Sequence, residues 1–149
     1  MKEKLSEIYW PLRLAYGLVP LLAGLDKYTN ILADWRRYVS PIARSMLPMS
    51  LETFLHIIGI IEIVVGLAVL LGLTRLGGLI VVAWLAAISL NLLLAGYFDI
   101  AVRDLVMAVG AYTLSMVATE RGEGFVPSFA TRPLSVLRIN KVWLESYKG

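Results

Sequence analysis

The sequence predicts an all-α fold: a four-helix transmembrane bundle running up-down-up-down, with an interfacial helix between its first and second spans and a short cytoplasmic C-terminal tail. Three observations predict it. The chain has 149 residues of which 58% are hydrophobic, and its mean hydropathy of +0.74 lies far above the usual soluble composition. Residues 8–25, 51–73, 76–98 and 100–118 approach or meet the roughly 20 apolar positions that cross a hydrocarbon core of about 30 Å. A chain this short cannot cover four helices apolar on all sides except with lipid. The connections GLTRLGG and GYFD are so brief that the spans they join must be antiparallel neighbours. This reading divides the chain into a transmembrane domain, 1–118, and a polar, partly amphipathic tail, 119–149.

The first span follows MKEKLSE, which mixes acids with bases, and it lacks an A-x-A site. That is a poor cleavable signal peptide, so the segment is expected to stay as the first helix. Arg13, Gly17, Pro20, Gly24 and Lys27 fall within one narrow arc at 100° per residue. Glycines on that arc admit another backbone, so it is the face expected to point inward.

Between the first two spans, Ile31, Trp35 and Tyr38 recur at helical spacing with Arg36 and Arg37 on another face, which suggests a helix lying at the membrane surface. Pro41 and Pro48 are expected to break it, and Ser50 to cap the second span. That span is apolar except for Glu62, which shares a face with Leu55, Ile58, Gly66 and Val69 beside Gly59. Asp99 is expected to cap the fourth helix. In the tail, Leu134, Leu137 and Leu144 form an apolar face beside Arg138, Lys141 and Lys148, suited to a membrane-surface helix or to docking a soluble partner.

An ionisable group within a span costs about 2.5–3.5 kcal/mol, so each needs a partner or a wet cavity. Two groupings follow. Arg13 and Glu62 are expected to form an intramembrane charge pair, either fixing helix registry or handling a proton or ligand. Lys27, His56, Asn91 and Asp104 come one from each helix to a similar depth toward the outer face, with Arg103 and Asp99 at the rim, and Lys27, His56, Asn91, Arg103 and Asp104 are the candidate ligand-binding set.

Cysteine is absent and histidine occurs once, which removes dithiol chemistry and leaves no expected metal site. No phosphate-loop, dinucleotide, zinc-protease or serine-hydrolase motif occurs. The net charge of +3 comes from basic residues scattered over loops without a nucleic-acid motif, so anionic lipid is the simpler partner. Eight Lys and Arg fall on the side of the termini and five on the other, which puts both termini in the cytoplasm of a multi-pass cell-membrane protein.

The order PLRLAYGLVPLLAGLDKY, a polar interfacial segment, IIEIVVGLAVLLGLTRLGG and VRDLVMAVGAYTLS resembles the DoxX family of small four-helix membrane proteins, over roughly residues 10–118. Arg13, Gly17, Gly24 and Lys27 match its first helix, Glu62, Gly66 and Gly72 its second, and Arg103, Asp104 and Leu105 its R-D-L element. The resemblance implies a membrane subunit linked in some members to quinone and sulfur redox chemistry, and in others to oxidative-stress complexes. Pro20 stands where a large apolar residue is more usual, and the cysteines of some relatives are missing. The expected function is a subunit of a quinone-linked redox complex, without stand-alone activity, that shapes a small-molecule pocket and anchors a soluble redox partner on its tail, with homo-oligomerisation open. The alternatives are a proton-coupled small-molecule transporter, for which four helices would require a dimer, and a purely structural subunit.

Overall fold

A computed structural model of the chain describes residues 2–125, and of residues 2–4 the backbone alone. The amphipathic segment expected from Pro133 onward lies outside the described residues. Five α-helices occur in order: α1 (Lys2–Thr29), α2 (Pro41–Met46), α3 (Leu51–Leu70), α4 (Thr74–Leu94) and α5 (Phe98–Glu120), with a 3₁₀ turn at Trp35–Tyr38 before α2. No strand occurs among the described residues. Four of the helices are long and apolar enough to cross a membrane, α1 over Leu5–Thr29.

The helix ends follow from local chemistry. Ser50 caps α3 by accepting from the Thr53 N–H, as its sequence position predicts. The α3–α4 turn is closed by Gly72 at φ +107°, a left-handed conformation that glycine adopts without strain. There the Leu73 N–H reaches the Ala68 carbonyl, and that of Gly72 reaches Val69. Gly96, at φ +84°, ends α4 in the same way. Three local expectations need correcting. Pro41 not only follows the end of the Trp35–Tyr38 turn but also starts a new helix, because at the first helical position its missing N–H costs nothing and Ser40 caps the turn. The interhelical segment is a 3₁₀ turn and a six-residue helix, with Ile31 outside both. Asp99 lies inside the first turn of α5 and makes no cap bond, the cap position being Tyr97.

The bundle is built from two tight seams. Along the first, Gly17 and Gly24 of α1 face Gly66 and Gly59 of α3. A Cβ on Gly24 would lie 2.5 Å from the Gly59 carbonyl oxygen, and one on Gly59 would lie 2.7 Å from that of Gly24, so only glycine permits this approach. Small residues make the second seam, between α4 and α5, where Ala101, Ala108, Ala111 and Ala118 are buried. Ser89 and Ser115 secure it by donating to the Ala101 and Arg75 carbonyls. The two pairs join toward the end that carries the start of α1 through Tyr9, Val69, Leu114 and Val117, and through the Tyr16 hydroxyl on the Met107 carbonyl at 2.7 Å. Large apolar side chains such as Ile60, Val64, Val106 and Val109 cover the outside, the surface that lipid requires.

Candidate functional site

Toward the opposite end the two helix pairs separate around a cavity of about 540 Å³. At its floor lies Glu62, only 5% exposed. Its partner is Lys27, with Nζ 2.5 Å from Oε2. Trp84 of α4 donates its indole N–H to the other carboxylate oxygen at 3.3 Å. The expected Arg13–Glu62 pair is therefore replaced by Lys27–Glu62, and helix geometry gives the reason. The glycine seam sets Lys27 beside Gly59, about one turn from Glu62. Helical side chains lean toward their own N-terminus, so in this antiparallel pair Lys27 leans inward and Glu62 outward until they meet.

The same lean carries Arg13 away from Glu62. Its guanidinium donates to the Val69 and Leu70 carbonyls at 3.1 and 2.7 Å, and to the Tyr9 hydroxyl at 3.0 Å. Tyr9 in turn pairs with Thr74 at 2.9 Å. Arg13 thus satisfies the orphan carbonyls at the C-terminal end of α3, where a cation is also favoured by the helix dipole. It lies outside the cavity lining.

A roof closes over the pair. Asp26, 4% exposed, accepts from the backbone N–H groups of Ile31, Leu32 and Ala33, the Thr29 hydroxyl and the Trp35 indole N–H. This folds the chain back so that the Trp35 ring covers Lys27, with Nζ 3.9 Å from the ring centroid. Asn91 of α4 fixes the other end of the roof. Its amide accepts from the Ser40 N–H at 2.9 Å and donates to the Tyr38 carbonyl at 2.6 Å.

The five residues expected to gather as a ligand set divide. Lys27, Asn91, Arg103 and Asp104 all line the cavity. His56 does not; its ring stacks on Tyr28 at 4.5 Å, and the Tyr28 hydroxyl donates to its backbone carbonyl. Glu62 takes its place as the ionisable residue α3 contributes. Asp26, Trp35, Tyr38 and Trp84 were absent from the sequence-derived set. The D-K of GLDKY was the available signal, since an acid ending a helix before a polar loop is suited to gather that loop's N–H groups.

Residues 9–97, which hold the glycine-faced first helix with its cation, the polar roof and the second helix with its mid-span acid, match the DoxX family model. The chain belongs to the DoxX family. No curated protein and no solved structure matches it. The family match spans the helices and roof that form most of the DoxX cavity and ends before α5, so the R-D-L element at Arg103–Leu105 lies beyond it. With four long apolar helices, this DoxX chain is a multi-pass membrane protein. Among the described residues no three His, Cys, Asp or Glu side chains gather as a metal cluster.

Chemically, the cavity combines apolar walls from Phe54, Ile58 and Ile88 with a neutralised ion pair at its floor and Asp104 and Arg103 on one side. Such a site suits an amphipathic molecule whose polar end meets directed hydrogen bonds while its body stays in an apolar slot.

Proposed function

We propose that this DoxX protein holds a quinone-class molecule in its outer cavity, as the membrane subunit of a redox complex whose soluble partner docks on the cytoplasmic C-terminal tail. The observation that carries the reading is the Lys27–Glu62 pair at the floor of an otherwise apolar cavity of about 540 Å³. That volume falls within the range of small-molecule sites, about 300–1,000 Å³. Lys27 donates one N–H to Glu62 and keeps others for a carbonyl oxygen. Trp35 and the apolar walls keep water from that contact. A bound quinone would supply the two-electron carrier chemistry; the chain supplies position, hydrogen bonds and a dry slot. The excess of Lys and Arg beside the termini supports a cytoplasmic placement for them.

The test is to purify the intact protein in lipid nanodiscs and extract bound quinone, then to titrate a short-chain benzoquinone against tryptophan fluorescence. The expected result is bound quinone in the parent and its loss in Ile58→Trp, which fills the cavity. No extracted quinone together with no response to the titration would overturn the proposal. A second reading, proton-coupled transport, is favoured by one observation, a mid-span carboxylate paired with an amine from the last turn of α1. It requires Glu62-dependent flux into proteoliposomes.

A further inference from the structure

The polar groups that line the cavity are not equally occupied. Glu62 is satisfied, accepting from Lys27 and in addition from Trp84, while Lys27 keeps N–H groups to donate. The Asn91 amide is committed to the backbone of the roof. Arg103 is at the rim, 69% exposed, and its nearest acid is the exposed Asp99 at 3.9 Å. Asp104 differs from all of these. It lines the cavity from the second turn of α5, half-buried, and has no hydrogen bond or ion pair among the described residues.

We propose that Asp104 is the ligand-selecting residue of the cavity and that its occupant presents a hydroxyl donor to it, so that, within the quinone class, the reduced, hydroquinone form is the one held. The inference rests on the quinone reading above and adds the redox state to it. An ionised carboxylate accepts hydrogen bonds and donates none. A quinone carbonyl is also only an acceptor, so facing Asp104 it would leave two acceptors opposed where the carboxylate is already half withdrawn from water. A hydroquinone O–H closes that contact, and hydrogen bonds to a charged group are among the stronger ones. A site that hydrogen-bonds a donor disfavours the analogue without it, because the half-buried carboxylate then loses water on that side and gains no partner.

The experiment uses the full chain in nanodiscs without oxygen. Affinities are measured by tryptophan quenching for a short-chain benzoquinone, its hydroquinone, and the dimethyl ether of that hydroquinone, which keeps the shape but removes both donors. The hydroquinone should bind about tenfold or more tighter than either other probe. Asp104→Leu should abolish the preference, Asp104→Asn should weaken it, and Asp99→Asn on the exposed face should leave it intact. The ratio in the parent protein is decisive even where a variant does not fold. Equal affinities, or tighter binding of the quinone, overturn the role of Asp104 and leave the quinone reading standing. Failure of quinone and hydroquinone alike to bind overturns both.

Discussion

The Trp35 ring lies over the Lys27 ammonium while its indole N–H is bonded to Asp26, the residue just before that lysine. Two adjacent residues of one helix therefore hold opposite aspects of the same side chain, the anion its edge and the cation its face. The roof is positioned from α1 itself, and Lys27 gains a covering ring as it meets Glu62.

Asp26→Ala is expected to release the roof while leaving the helices in place. Three backbone N–H groups lose a charged acceptor, each such bond contributing about 1.5–3 kcal/mol. Hydrogen exchange at Ile31, Leu32 and Ala33 should speed by at least roughly tenfold, with little change in the middle of α4 and α5. Unchanged protection at those three amides would show that Asp26 does not hold the segment.

For the buried pair, Lys27→Met alone and Glu62→Leu alone should each destabilise by about 3–5 kcal/mol, because each strands a charge in an apolar surround. The double variant should recover most of the loss. Combining Arg13→Met with Glu62→Leu should recover nothing, since those residues share no contact. Thermal melts of the four variants in detergent decide between the two pairings.

At the end of α3, Arg13→Lys is expected to melt well below the parent and only slightly above Arg13→Ala. The guanidinium makes three bonds in different directions, a fork that an ammonium on a flexible stem does not reproduce. A lysine variant as stable as the parent would mean that charge alone caps the helix.

The seam glycines should tolerate substitution according to what a new Cβ meets. Gly24→Ala and Gly59→Ala drive a methyl group into a facing backbone carbonyl, so α1 and α3 must part, and expression or melting temperature should fall sharply. At Gly110 the obstruction is the end of the Tyr16 side chain, which can turn aside. Gly110→Ala should therefore cost little beyond the Tyr16 hydrogen bond, about 1 kcal/mol, and equal losses at all three positions would contradict the seam.

The four spans were legible because each is long and apolar, and the inward face of α3 was legible because Gly59, Glu62, Gly66 and Val69 share an arc. All four are buried. Depth alone pairs Glu62 with Arg13, whereas the lean of helical side chains brings it to Lys27. That direction is fixed by backbone chirality, so the correct pairing was within reach of the sequence. The roof was not. Trp35 owes its place to one indole hydrogen bond across a non-repetitive loop, and no periodicity encodes such a contact. His56 shows the converse: it has the right depth for the cavity, but its ring packs against Tyr28 instead.

The glycine seam between α1 and α3 and the alanine seam between α4 and α5 use none of the side chains that line the cavity walls at Phe54, Ile58 or Ile88. Apart from Lys27 and Glu62, which serve both, folding and molecular recognition are thereby assigned to separate sets of positions. Wall residues can be exchanged for larger or smaller ones without disturbing the surfaces on which the helices assemble. The bundle is in that sense a chassis with an interchangeable lining, open to being refitted for differently shaped contents by a few substitutions in the cavity-facing half of α3 and α4.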